Sequence, residues 1–263
     1  MTRAGGNQSE KASLIAGRNP VHEALTRRAE QVEKVYVQQG AGGAAIKQIT
    51  SAATRSGITV QYVPKARMNQ LVPGGSHQGV AAVAASVAYV TLEDLLSEIG
   101  ATFDRIRVVN PMLLLLDRIQ DPHNYGAILR SAAAVGVDGI VVPSGGMAPI
   151  SVATVKASAG TAGEVPIARV RKLPDAIIQL KEVGFWVVGL EGGQEQTVWS
   201  TDWCRPIAIV VGSEGAGLAA SVLKACDELA SIPIQASVES LNASVAAALA
   251  MFVAAQQRLG KEA

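Results

Sequence analysis

The sequence predicts an α/β fold in two parts, the larger built on a mainly parallel sheet. Three observations carry that prediction. Strand-like and helix-like segments alternate along most of the chain, as they do when helices cover both faces of a parallel sheet. Residues 112–116 read MLLLL, a continuous apolar run that suits a strand buried on both faces. Two later strand-like segments, 207–211 and 230–234, lead into the turns GSEGAG and ASVESLN. Turns at strand ends are where such sheets place small-molecule pockets.

A chain of 263 residues has room for one large or two small domains. The polar opening, residues 1–12, has no apolar signal segment and is expected to be a disordered leader. Residues 13–88 then read as a small α/β domain. Asn19-Pro20 looks like a helix cap followed by proline at the first helical position, with the helix ending near Ala29. EKVYVQ at 33–38 alternates as a strand. A helix over 44–56 is stopped by Gly57, and 58–63 returns as a strand. A short helix over 65–71, a turn at 73–76 and a small-residue strand over 79–89 complete the domain. Residues 89–110 have weaker periodicity and are expected to be a linker with a short helix.

The second series, 111–263, opens with the apolar strand 112–116. Helices are expected over 126–135, 149–158, 174–183, 219–225 and 241–259, and strands over 139–142, 165–170, 185–190, 207–211 and 230–234. The last helix is apolar nearly all round. Its apolar run, 245–255, is too short to span a bilayer, so no membrane association is expected.

Net charge is only +1, but its distribution is uneven. Residues 1–86 hold ten Lys and Arg against four acids; the rest of the chain holds 13 against 18. That asymmetry points to a basic N-terminal module meeting a polyanion, or to a plain solvated surface. Cys204 and Cys226 lack metal or redox spacing, and His22, His77 and His123 are scattered, so no metal site is expected. Reduced thiols fit a cytoplasmic protein.

Three turns hold residues that could carry chemistry. The first, DRIQDPHNYGAILR at 117–130, follows the buried strand; Asn124 could cap the next helix, Gly126 would admit a ligand to the backbone, and Arg130 lies in the second helical turn. The second, 212–217, contains G-x-x-G-x-G and not the dinucleotide fingerprint, and no P-loop motif occurs. A glycine-rich turn carrying Glu214 and no cation suits a neutral or cationic ligand better than a phosphate. In the third, Ser240 and Asn242 flank Leu241 at the start of the last helix. Each turn alone could be a simple cap or surface loop.

Together, DPHNYGAILR, IVVGSEGAGL and IPIQASVESLNASVA resemble, in order and separation, the motifs of the SpoU class of the SPOUT superfamily of S-adenosylmethionine-dependent RNA methyltransferases. The resemblance covers 112 to about 258. Upstream, IAGRNPVHEAL and SHQGVAAVAA resemble the L30e-like substrate-binding domain of the RlmB and thiostrepton-resistance branches, which favours RNA as the polyanion. The resemblance implies a deep trefoil knot in the C-terminal domain, a homodimer, S-adenosylmethionine as cofactor, and 2′-O-ribose methylation of a guanosine in 23S ribosomal RNA. Transfer RNA or another ribosomal nucleotide, and a non-catalytic RNA-binding assembly factor, are the alternatives. It further implies catalytic roles for Arg130, Asn124, Glu214 and Asn242. Leu190, Gly212, Ile232, Ile234 and Leu241 would hold the cofactor; Arg18, Arg27, Arg28, Arg130 and Ser240 would meet RNA. In the third motif, Ile234 and Ala236 stand where the class commonly has Met and Gly.

Overall fold

The computed structural model describes residues 14–73, 76–84, 87–100 and 102–260; the expected leader 1–12 lies outside them. The chain divides into two compact units, 1–86 and 87–263.

In the first unit, β1 (Leu14–Ala16), β2 (Val32–Gln38), β3 (Thr59–Val63) and β4 (Val80–Ala84) form a mixed sheet in the order β1-β4-β2-β3. Only β2 and β3 run parallel. Helices α1 (Arg18–Arg27) and α2 (Ala44–Arg55) supply Val21, Leu25, Ile46 and Ile49 to a core shared with Val35, Val37 and Val80. A shorter helix, α3 (Lys65–Leu71), buries Met68. Asn19 is not the cap of α1. The helix begins two residues earlier than expected, at Arg18 behind Gly17, whose φ of 101° turns the chain out of β1. β1 itself was not foreseen, because three half-buried residues leave no periodic signature.

The second unit is a seven-stranded sheet, parallel at every pairing, in the order β11-β9-β10-β6-β7-β8-β5. Its strands are β5 (Tyr89–Val90), β6 (Met112–Leu116), β7 (Gly139–Pro143), β8 (Ile167–Val170), β9 (Trp186–Leu190), β10 (Ile207–Val211) and β11 (Glu228–Ala230). β6 and β10 lie side by side at its centre, and all five residues of each are buried. The helices are α4 (Leu92–Ile99), α5 (Phe103–Val109), α6 (Pro122–Val135), α7 (Val152–Ala157), α8 (Leu173–Glu182), α9 (Ala220–Leu223) and α10 (Ala243–Leu259).

Three expectations need correction. Residues 89–110 are not a linker: β5 extends the sheet, and Leu92, Leu95 and Ile106 from α4 and α5 join the core of this unit. The strand expected over 79–89 is accordingly two strands in two different sheets. The strand expected over 230–234 is shorter and earlier, at Glu228–Ala230, so Ile232 and Ile234 lie in irregular chain.

α10 runs from the carboxyl ends of the strands to their amino ends. At its start Asn242 bonds Asn124, beyond β6; at its end Arg258 donates to the carbonyls of Asn110 (2.7 Å), Arg205 (2.8 Å) and Trp203 (2.9 Å), which precede β6 and β10. Desolvation lowers the Arg258 pKa from its ordinary value, with Asp138 opposing the shift. The four-carbonyl cage, completed by Pro111 at 3.4 Å, satisfies the half-buried guanidinium.

Candidate functional site

The carboxyl ends of β11, β9 and β10 open onto a cavity of about 260 Å³. Leu190, Val211 and Ala230, the last residues of the three strands, form its floor. Gly212–Gly217 makes one wall and 232–241 the other. Leu190, Gly212, Ile232, Ile234 and Leu241, the five residues expected to hold a cofactor, all line it, as do Glu214 and Ser240.

Sterics explain the glycines of the first wall. The turn folds back so that Ser213 and Gly217 exchange backbone hydrogen bonds of 3.2 and 3.0 Å. A Cβ on Gly212 would lie 2.4 Å from the Gly217 carbonyl, closer than any real contact. Gly217 has φ +59° and a Cβ there would meet the Glu191 carboxylate at 2.9 Å. The close approach that demands glycine is therefore chain against chain, and it leaves the turn's backbone facing the cavity.

One amide joins the three turns. Asn242 caps α10 with its Oδ1, which accepts from the backbone of Ser244 (2.9 Å) and Val245 (3.3 Å) and from the Ser244 hydroxyl (2.6 Å). Its Nδ2 donates to Asn124 Oδ1 at 2.9 Å and, in a short bond, to Glu214 Oε1. The same Glu214 oxygen accepts from the Ala243 backbone N–H at 3.3 Å, so its charge sits on the positive end of α10. Asn124, Glu214 and Asn242 are thus brought together, one from each turn.

Arg130 is not part of that cluster. It is exposed and has no hydrogen bond or ion pair among the described residues. Asn124 is not the cap of α6, as its position suggested. Asp121 is: its Oδ1 accepts from the His123 N–H at 3.0 Å, with Pro122 opening the helix. Asn124 therefore lies inside the first turn of α6, 8% exposed, and points to Asn242. Nor does Gly126 admit a ligand: its missing Cβ would lie 2.4 Å from Ala157 Cβ and 2.5 Å from the Thr154 carbonyl. Glycine there lets α6 and α7 touch.

Sequence reasoning missed Asp117, Arg118 and Glu191, which brace the glycine-rich turn. Buried Asp117 accepts from the Ala219 N–H at 2.7 Å, Arg118 donates to the Gly217 carbonyl at 3.0 Å, and Glu191 accepts from the Leu218 N–H at 3.4 Å. Their signal was position: each follows directly on the end of a buried strand, or one residue later. Glu191 and Glu239 also line the cavity beside Glu214, and its lining includes no Lys or Arg.

In the first unit Arg18 donates from Nε to the Gln78 carbonyl at 3.1 Å, beside a shallow cleft that also takes in Gln38 and Gly79. Arg27 and Arg28 lie at the other end of α1, roughly 13 Å away by helical rise, with Arg27 paired to Glu23 at 3.0 Å. The three arginines are not one cluster. Burial pushes the Cys226 thiol up to about 12, which makes it a poor nucleophile, and both cysteines are free. Among the described residues no group of His, Cys, Asp and Glu could hold a metal, and no helix is long and apolar enough to cross a membrane.

The SpoU rRNA methylase family model matches residues 111–252, and the model for RNA 2′-O ribose methyltransferase substrate binding matches 14–90. The chain is 36% identical over 250 residues to YacO of Bacillus subtilis (strain 168), a TrmH-family tRNA/rRNA methyltransferase by name; the match covers 95% of this chain and 98% of that one. It is 37% identical over 246 residues to a similarly named protein of Staphylococcus aureus (strain COL), covering 94% and 96%. The structure of the SpoU methyltransferase AviRb from Streptomyces viridochromogenes in complex with AdoMet aligns with a TM-score of 0.58 at 23% identity, over 97% of this chain and 95% of that one. A crystal structure of an RNA 2′-O ribose methyltransferase aligns with a TM-score of 0.54 at 25% identity, over 95% and 90%. These likenesses show the fold, a SPOUT-type α/β body with a small N-terminal domain.

Proposed function

The chain belongs to the SpoU rRNA methylase family, and from that premise we propose that it transfers a methyl group from S-adenosylmethionine to a ribose 2′-hydroxyl, with a guanosine of 23S ribosomal RNA as the target. The observation that carries the proposal is the Asn124–Asn242–Glu214 cluster at the mouth of the strand-end cavity, with Arg130 on the same helix as Asn124 and without a partner among the described residues.

The cavity fits the cofactor by charge. Three carboxylates line it without a cation, and S-adenosylmethionine carries a sulfonium and an ammonium against one carboxylate. When bound, it supplies a methyl group on a positively charged sulfur. Leu190, Gly212, Ile232, Ile234 and Leu241 would hold it, through backbone groups and apolar contact.

The Arg130 guanidinium offers hydrogen-bond donors and no acceptor, so its role is to clamp and not to take a proton. Its free guanidinium is suited to gripping the phosphate beside the target ribose and stabilising the 2′-oxygen as negative charge develops. The proton would leave to that phosphate or to water. Asn124, its Oδ1 fixed by Asn242, has Nδ2 left to orient the ribose. Glu214 orders the Asn242 amide and the start of α10. Ser240, exposed at the rim, is placed to meet the RNA strand.

In the N-terminal unit we assign Arg18, Arg27 and Arg28 to the surrounding RNA phosphates, a reading supported by the substrate-binding match over 14–90. A homodimer is supported by α10, where Val245, Phe252 and Leu259 recur every seven residues and are 49%, 52% and 70% exposed. The path of the chain from the edge strand β11, past the ends of β9 and β10, to α6 supports the knotted topology. We place the enzyme in the cytoplasm, with its RNA.

The test is to incubate full-length protein with S-adenosylmethionine and, separately, 23S ribosomal RNA and bulk transfer RNA, and to map 2′-O-methyl nucleotides by mass spectrometry. One methylated guanosine in 23S RNA is expected. Methylation of transfer RNA alone would overturn the substrate assignment; bound cofactor with no methylation of either would favour an assembly factor.

A further inference from the structure

Arg118 is the second residue beyond β6 and, with φ +58°, one of the few non-glycine residues in the left-handed region among those described. Its guanidinium is held on two sides. Nε pairs with Asp117 Oδ2 at 3.2 Å, and Nη2 donates to the Gly217 carbonyl at 3.0 Å. The same Asp117 oxygen accepts from the Ala219 N–H, so two adjacent side chains grip residues 217 and 219 of the returning limb of the glycine-rich turn. Residue 218 between them is tied to Glu191. Gly217 and Glu191 line the cavity; Arg118 does not.

We infer that Arg118 is a positioning residue for the cofactor: it fixes the Gly217 carbonyl so that the turn keeps the shape that receives S-adenosylmethionine. Two features of the site favour this over a surface ornament. Its bonds are charge-assisted at both ends, to a buried carboxylate and to a carbonyl in the turn. It keeps them from a backbone conformation that favours glycine, which implies that the side chain matters at this position. Removing it leaves Gly217 held only by Ser213 across the turn, while residues 218 and 219 keep their bonds to Glu191 and Asp117.

The inference rests on reading the cavity as the S-adenosylmethionine site. Isothermal titration of full-length wild-type protein with S-adenosylmethionine tests that reading first; no binding there sinks the proposed function, whatever the variants do. Given wild-type binding, Arg118→Gly keeps the backbone at φ +58° unstrained and removes the guanidinium, with its grip on Gly217 and its ion pair to Asp117. Arg118→Gly should melt below wild type, because Asp117 loses its ion pair, yet titrated while still fully folded it should bind the cofactor about tenfold more weakly or worse. Arg118→Lys, which restores one charged donor, should recover part of that loss. In methylation assays KM for S-adenosylmethionine should rise while kcat at saturation stays within about twofold. Wild-type affinity in Arg118→Gly, measured below its unfolding transition, would overturn the inference. A lowered kcat with unchanged KM would also overturn it, by placing Arg118 at the reacting atoms.

Discussion

The starts of α6 and α10 face the same site and are built differently. α6 opens with a dedicated cap, Asp121 followed by Pro122, which leaves Asn124 free inside the first turn to reach Asn242. α10 opens with Asn242, whose Oδ1 does the capping while its Nδ2 ties Asn124 and Glu214 together. In α6, support and chemistry fall on separate residues; in α10 they share one side chain. Substitutions in α6 should therefore divide into those that lower activity and those that lower stability, whereas a substitution at 242 should lower both.

The largest effect expected is on rate alone. Arg130→Ala should reduce methylation by about 10²–10³-fold, since a preorganised charge at developing negative charge is worth that much. Its melting temperature should stay near wild type, because the exposed side chain has no partner to lose among the described residues. Arg130→Lys should remain well below the wild-type rate, and a fully active lysine enzyme would remove any specific guanidinium role.

Next comes Asn242→Ala, which loses a cap and strips a donor from Glu214 and Asn124. A loss of about 2–3 kcal/mol in denaturant unfolding is expected, together with a fall in activity. Asn242→Asp sharpens the comparison. It keeps the capping oxygens and sets a carboxylate against Glu214, so activity should fall further than the cap alone explains.

Gly126→Ala should cost about 1–3 kcal/mol by forcing α6 from α7, read as a lower urea midpoint. Asp121→Ala should cost about 1 kcal/mol and leave the methylation rate of the folded enzyme nearly unchanged. A large rate loss in Asp121→Ala would break the separation proposed for α6. The smallest effect concerns Cys226: its raised pKa, about 12, keeps it a thiol at pH 8, so iodoacetamide should modify it only after unfolding.

Much of this was legible in the sequence, for reasons that differ by position. The run 112–116 announced β6 because a strand buried on both faces has no polar positions to interrupt it. The cavity wall at Gly212–Gly217 was visible as glycines whose spacing allows a tight turn. Residues 89–110 were illegible because β5 is two residues long and is held by its pairing with β8, a tertiary contact without local signature. Asn124 was misread for a related reason. Asp121, Asn124 and the Asn at 242 are all good caps by type, and only the three-dimensional partner tells which amide caps and which reaches across. Gly126 was misassigned because close helix packing and ligand access both call for glycine, and the distinguishing neighbour, Ala157, is distant in sequence.

The central claim is that Asn124 and Asn242 work as one hydrogen-bonded unit joining the first and third turns. A double-mutant cycle on the methylation rate, with Asn124→Ala, Asn242→Ala and the pair, tests it most directly. If the 2.9 Å bond couples them, the double variant should be scarcely slower than the slower single variant. Losses that simply multiply would show that the two amides act independently, and the joined site would be contradicted.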